Sequence, residues 1–231
     1  MLIIDNKKNI RSFGRINGRG VLKNHEDFLN EKLPQYSINL NSEKQININD
    51  LFNNDNKNYF EIGCGYGESI AERAKNMPNI NFIACETYTK GIINLIELIE
   101  KYNLKNIKIF NGDARLLLEN IEDNNIDMLF LLFPDPWPKK KQNKRRIVSN
   151  DFLQLISRKM KNNAIFFFAS DINSYLEWTL EKVDNNHNFA RHFNTLDDCK
   201  NQPEWWVVTK YQQKAIREGR ESRFCEYFIK K

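Results

Sequence analysis

The 231-residue chain lacks the usual marks of a secreted, membrane-bound or metal-binding protein. Its four cysteines, Cys64, Cys85, Cys199 and Cys225, form no CxxC pair, and none stands at metal-ligand spacing from another. That excludes a zinc ribbon and offers no disulfide framework, so reduced thiols and a cytoplasmic setting are expected. The three histidines, His25, His187 and His192, are scattered, so no metal site is expected. No apolar run approaches the roughly 18 residues that cross a bilayer. Met1-Leu2-Ile3-Ile4-Asp5 is too short an apolar stretch for a signal peptide. Glycine and proline are scarce, at 9 and 6, yet they gather: glycines at 14, 18 and 20 and again at 63, 65 and 67, prolines at 134, 136 and 138.

What is present is a balanced, ordinary globular composition. The chain is 41% hydrophobic and 28% charged, with 35 Lys+Arg against 30 Asp+Glu and a net charge of +5. That length suits one α/β domain with a short appendage. We read residues 1–20 as a flexible basic arm carrying Arg11, Arg15 and Arg19, and residues 21–231 as a single domain. The small net charge hides a concentrated block: residues 139–146, Lys-Lys-Lys-Gln-Asn-Lys-Arg-Arg, hold six cations in eight positions. A charged run is usually a solvated face, so this block needs a chemical neighbour before it implies nucleic acid.

From residue 59 the chain alternates short apolar runs with amphipathic ones. Strands are expected at Tyr59–Ile62, Asn81–Cys85, Ile107–Phe110, Met128–Phe133 and Ala164–Ala169. Helices are expected at Glu68–Lys75, Tyr88–Tyr102, Ala114–Glu119, Ser149–Met160 and Ile172–Lys182, with a shorter one at Asn24–Leu33 stopped by Pro34. Leu95, Leu98, Ile99 and Tyr102 recur at helical spacing. The alternation implies a mostly parallel sheet with helices on both faces. Trp205–Tyr211 and Arg223–Ile229 lack a crossover helix between them and are expected to pair as antiparallel strands at the sheet's edge.

In such sheets ligands bind at the carboxyl ends of strands, so the residues there carry the chemistry. The first strand runs into Glu61-Ile62-Gly63-Cys64-Gly65-Tyr66-Gly67. Its G-x-G-x-G spacing differs from the dinucleotide fingerprint, and the preceding carboxylate suits a cationic or amine-bearing ligand better than a diphosphate. Glu86 ends the second strand, where a carboxylate accepts hydrogen bonds from ribose hydroxyls. Asp113 follows the third, placed either to accept an adenine amino proton or to cap the next helix. Together these acids describe a site for an adenosine with a positively charged tail. S-adenosylmethionine fits; NAD and ATP do not. The fourth strand ends in Phe133-Pro134-Asp135-Pro136-Trp137-Pro138, which holds Asp135 in a rigid, expectedly low-dielectric frame immediately before the cations. That juxtaposition gives the basic block its neighbour and makes a nucleic acid the expected polyanion. A dehydrogenase, a protein or small-molecule methyltransferase, or a non-catalytic RNA-binding protein each leaves part of this pattern unexplained.

The 133–139 segment, with Asn143-Lys144-Arg145-Arg146, resembles the bacterial tRNA (guanine-N7)-methyltransferase family. The likeness extends to Ile10–Arg15 in the arm, to Glu61–Gly67, to Ala169-Ser170-Asp171 with Tyr175, and to Val208–Gln212. The resemblance implies a Rossmann-like class I methyltransferase fold with a seven-stranded sheet, acting in the cytoplasm without an obligate partner, as a monomer or homodimer. It implies methyl transfer to guanosine 46 in the tRNA variable loop; methylation of another RNA is the alternative. Carried over by position, it assigns Glu61, Gly63, Glu86, Asp113 and Asp135 to S-adenosylmethionine, with Asp135 also catalytic. It assigns Lys139, Lys141, Lys144, Arg145, Arg146, Asp171, Thr209, Lys210, Tyr211 and Gln212 to tRNA. Gln212 stands where the family usually has Glu, and Pro138 where several members have His.

Overall fold

A computed structural model of the protein describes residues 23–40 and 44–231. The basic arm expected over residues 1–20, with Arg11, Arg15 and Arg19, lies outside the described residues. Five strands follow the sequence expectation within two residues at their starts except the last: β1 (Lys57–Ile62), β2 (Ile80–Glu86), β3 (Ile107–Asn111), β4 (Ile126–Leu132) and β5 (Met160–Ser170). The helices between them are α3 (Glu68–Asn76), α4 (Thr89–Tyr102), α5 (Ala114–Asn120) and α6 (Asn150–Lys159). Ahead of them lie α1 (Lys23–Lys32), followed by a 3-10 turn at Leu33–Gln35, and α2 (Ile48–Phe52). After β5 come α7 (Asn173–Asp184), β6 (Phe189–Arg191), α8 (Lys210–Arg217) and β7 (Arg223–Ile229).

The seven strands form one sheet in the order β3-β2-β1-β4-β5-β7-β6. β1 to β5 are mutually parallel, and β7 runs antiparallel to both its neighbours. Alternation along each strand sends side chains to two cores. Phe60, Ile62, Ile83 and Cys85 join Leu117, Leu118, Leu153 and Ile156 beneath α5, α6 and α7. Phe82, Ala84 and Ile109 meet Ile70, Ala74, Leu95 and Ile96 beneath α3 and α4. The buried stripe of α4 is Ile92, Leu95, Ile96 and Ile99; Leu98 and Tyr102 flank it, a rotation of the expected face.

The expected strand at Trp205–Tyr211 does not form. Pro203 begins a turn closed by Trp206 N–H to the Pro203 carbonyl at 2.9 Å. Thr209 then accepts the Gln212 N–H at 3.1 Å and starts α8 as its N-cap. Capping geometry outweighs the β-branched run Val207-Val208-Thr209, because it satisfies a helix N–H that a strand edge would leave to water. Trp205 and Trp206 instead lie against Phe130, Phe133, Phe167 and Phe224, covering the third apolar cluster on the sheet. The strand that pairs with β7 at the edge is the three-residue β6.

Candidate active site

Strand order reverses between β1 and β4, so a crevice opens at their carboxyl ends, where the glycine-rich and proline-rich loops face each other. Gly63, Gly65 and Gly67 all have positive φ, at 72°, 59° and 75°. The requirement is sharpest at Gly67, the N-cap of α3, where a β-carbon would stand 2.7 Å from Leu95 of α4. Gly91 gives the same service from the other side: a β-carbon there would meet the Gly65 carbonyl at 2.1 Å. The loop is thus pressed onto α4, and its backbone amides turn toward β2.

Glu86 receives one of them, beside two amides that follow its own strand. Its carboxylate accepts Gly65 N–H at 2.7 Å, Thr87 N–H at 2.7 Å and Tyr88 N–H at 2.9 Å. Burial nevertheless pushes the Glu86 carboxyl above its ordinary range, with Asp135 adding like-charge repulsion and the three amides opposing both. A carboxylate offers about four acceptor sites, so one remains for a ligand. Asp113 is a cap: Oδ1 accepts Arg115 N–H at 3.0 Å and Nε–H at 2.9 Å, and Oδ2 the guanidinium at 2.6 Å.

Glu61 is placed differently from its neighbours. It is 3% exposed, and its carboxylate turns inward to pair with Arg73 of α3, whose guanidinium lies 4.3 Å from the Phe130 ring centroid. Burial raises the Glu61 carboxyl above its usual value and Arg73 opposes that shift. Here the charge balances an internal arginine, and the geometry makes Glu61 a brace between β1 and α3.

The β4 loop is strained on both sides of Asp135. Phe133 and Trp137, neither a glycine, have φ of 48° and 43°, a conformation that costs of order 1 kcal/mol each and concentrates at functional sites. Phe133 N–H donates to the Ala169 carbonyl at 2.7 Å, anchoring the loop to β5. Arg146 anchors the far end, donating to the Pro136 carbonyl at 3.0 Å and the Ser174 carbonyl at 2.9 Å. It is 5% exposed, and lies over the Tyr175 and Trp178 rings. Its guanidinium therefore shapes the loop, unlike the exposed Lys139, Lys140, Lys141 and Lys144. Arg145 stacks 4.7 Å over Trp137. Asp135 itself is exposed, in contrast to the expected low-dielectric setting; the water-excluding surface must come from whatever binds beside it.

On the acceptor side, Asp171 follows β5 and takes Arg220 Nε–H at 2.5 Å. Gln212 is buried, its amide oxygen accepting Trp206 Nε1–H at 2.6 Å. Lys210 sits 2.5 Å from Glu68 and 4.2 Å above the Tyr66 ring. Tyr211 rests on Gly65.

Residues 55–225 match the Methyltransf_4 methyltransferase family. The tRNA (guanine-N(7)-)-methyltransferase of Zymomonas mobilis is 35% identical over 94% of this chain and 93% of its own length. That of Wolbachia pipientis is 35% identical over 99% and 96%, and that of Agrobacterium fabrum 36% over 93% of each. The chain belongs to this family. Among solved structures, the 16S rRNA methyltransferase KamB shares the fold at a TM-score of 0.56, with 12% identity over 79% of this chain and 92% of that one.

For a member of this methyltransferase family, several site neighbours are invisible in the sequence. Arg73, Arg220 and Trp206 each hold a candidate residue in place, yet nothing in local sequence marks them. Tyr66 and Tyr88 form an edge-to-face pair 5.7 Å apart at the mouth of the glycine loop. Their spacing from Glu86 is the one signal available. Among the described residues no cluster of His, Cys, Asp and Glu has metal-site geometry, and no helix is long and apolar enough to cross a membrane.

Proposed function

We propose that the protein transfers a methyl group from S-adenosylmethionine to N7 of guanosine 46 in the variable loop of tRNA, in the cytoplasm. One observation carries the reading: two acids, Glu86 at the end of β2 and Asp135 in the loop after β4, stand at strand carboxyl ends beside the switch point, and a run of exposed lysines begins four residues after the second. The acid pair suits a donor with ribose hydroxyls and a cationic centre. The lysines suit a polyanionic acceptor.

The residues fit the donor. Glu86 keeps one acceptor site beyond its three amide bonds, and giving up the Gly65 bond would supply the second that a ribose diol needs. Gly63 leaves open space, since a β-carbon there would meet nothing within 4 Å. Asp113 keeps an acceptor edge for an adenine amino group, while Glu61 acts from behind by fixing β1 to α3. When bound, S-adenosylmethionine supplies an activated methyl on a sulfonium.

Guanine N7 has a lone pair and no proton, so no general base is required. Asp135 is held rigidly between Phe133 and Trp137, and its carboxylate stabilises positive charge as it moves onto the purine. Asp171 at the end of β5 orients the base, while Thr209 and the buried Gln212 set the start and rotation of α8 beside it; alignment supplies most of the rate. Lys139, Lys141, Lys144 and Arg145 hold the RNA backbone. Arg146 keeps the Pro136 end of the loop in position from inside the fold.

The test is incubation of unmodified tRNA with methyl-labelled S-adenosylmethionine, followed by nucleoside analysis. Labelled 7-methylguanosine at position 46 is expected. Asp135→Ala should abolish transfer and still bind tRNA. Label in another nucleoside, in another RNA or in protein would overturn the reading, and near wild-type turnover by Asp135→Ala would remove its assigned role.

A further inference from the structure

Lys210 and Tyr211 lie in a segment whose family resemblance points to tRNA, but their contacts run to the opposite side of the site. Gln212 fixes the rotation of α8: its buried amide is bonded to Trp206 Nε1, and Trp206 is packed against Phe133 and Phe167. With Gln212 turned inward, the two preceding residues reach back over the glycine loop. Lys210 spans to Glu68, the first residue of α3, and covers Tyr66. Tyr211 lies over Gly65, where an added β-carbon would find its Cε2 at 3.5 Å and its hydroxyl at 3.9 Å. Burial raises the Tyr211 phenol above its ordinary value, and the nearby Glu86 and Asp135 carboxylates add to that shift.

We propose that Lys210 and Tyr211 form the outer wall of the donor site, setting affinity for S-adenosylmethionine while contributing little to tRNA binding. This rests on the methyltransferase reading above. The Lys210–Glu68 pair is surface-exposed, with side chains at 57% and 44%, so it adds little to stability. Its consequence is positional: it ties the first turn of α8 to the loop whose Gly65 amide engages Glu86. Tyr211 is 54% exposed, an aromatic ring left half in water beside two carboxylates. A cationic, adenosine-bearing donor placed between those carboxylates would bury that ring and present positive charge near its face. An ammonium already pairing with Glu68 is poorly placed to neutralise phosphate.

Calorimetric titration with S-adenosylmethionine in the absence of tRNA, alongside tRNA binding in the absence of donor, separates the two assignments. Tyr211→Ala should weaken donor binding about tenfold, and Tyr211→Phe should stay within about twofold, because the ring supplies the wall. Lys210→Met should raise the KM for donor about threefold with the KM for tRNA unchanged, and Lys210→Arg should restore it. Affinity for tRNA should change less than about twofold in all four. A drop in tRNA affinity with donor affinity intact would return both residues to the RNA face. Tighter donor binding by Tyr211→Ala would make the ring a plug and overturn the wall. A wild-type protein that binds no S-adenosylmethionine would sink the methyltransferase reading itself, whereas wild-type binding with unchanged variants sinks the wall alone.

Discussion

Glu86 shows how much one side chain's environment determines. It is held by three backbone amides, yet burial and Asp135 keep its carboxyl above the ordinary range. A raised value means the neutral form survives to higher pH than for a free glutamate. In the fold this favours stability at low pH, and the favourable contribution is lost as pH rises through the raised value. Donor binding has the opposite sign, because only the ionised form offers the acceptor that ribose hydroxyls need. Affinity for S-adenosylmethionine should therefore be full at alkaline pH and fall as pH is lowered through the range above the ordinary glutamate value. Titrations across that range should show the fall in the wild type and a weaker, flatter profile in Glu86→Gln. An equally steep profile in the variant would assign the proton elsewhere. The strand-end position of Glu86 is legible in sequence, as are those of Asp113 and Asp135. The inward turn of Glu61 is not, because its partner Arg73 comes from the next helix and only packing brings the two together.

At the level of elements, the β1–α3 unit depends on that buried pair. Arg73 has Nε and NH1 buried without hydrogen-bond partners, so its charge is compensated by Glu61 and the Phe130 ring. Removing one partner leaves an uncompensated buried charge, which typically costs about 3–5 kcal/mol, a large share of the stability of many domains. Arg73→Met should thus lower thermal stability sharply, and adding Glu61→Gln should restore part of the deficit. A single variant that melts with the wild type would show the pair to be dispensable. The first five strands are readable because each carries a short apolar stretch between turn or helix residues, whereas the polar Lys161-Asn162-Asn163 hides the start of β5 at Met160. The start of α8 reads as a strand because its β-branched residues are overruled by the Thr209 cap and by the Gln212–Trp206 bond, a cap and a tertiary contact that composition does not encode. β6 has three residues, too few for a periodic signal.

For the whole molecule, the +5 net charge averages over charges that are unevenly placed. Acids line the crevice at the switch point, and lysines 139, 140, 141 and 144 stand exposed beyond the rigid β4 loop. The structure divides the basic block further: Arg146 belongs to the interior, bonded to Pro136 and Ser174, so the block's six cations are not six phosphate ligands. This division predicts a salt dependence. Removing one lysine–phosphate pairing should reduce the slope of log affinity against log salt by about 0.7–0.9. Replacing Lys139, Lys141 and Lys144 together by Gln should therefore flatten the slope for tRNA by about 2, with thermal stability unchanged, because none of the three is buried. Arg146→Gln should do the reverse, lowering stability and turnover through the loop while leaving the slope near its wild-type value. If the two variants changed the slope equally per charge removed, Arg146 would pair with RNA in solution and the loop would have to open to present it.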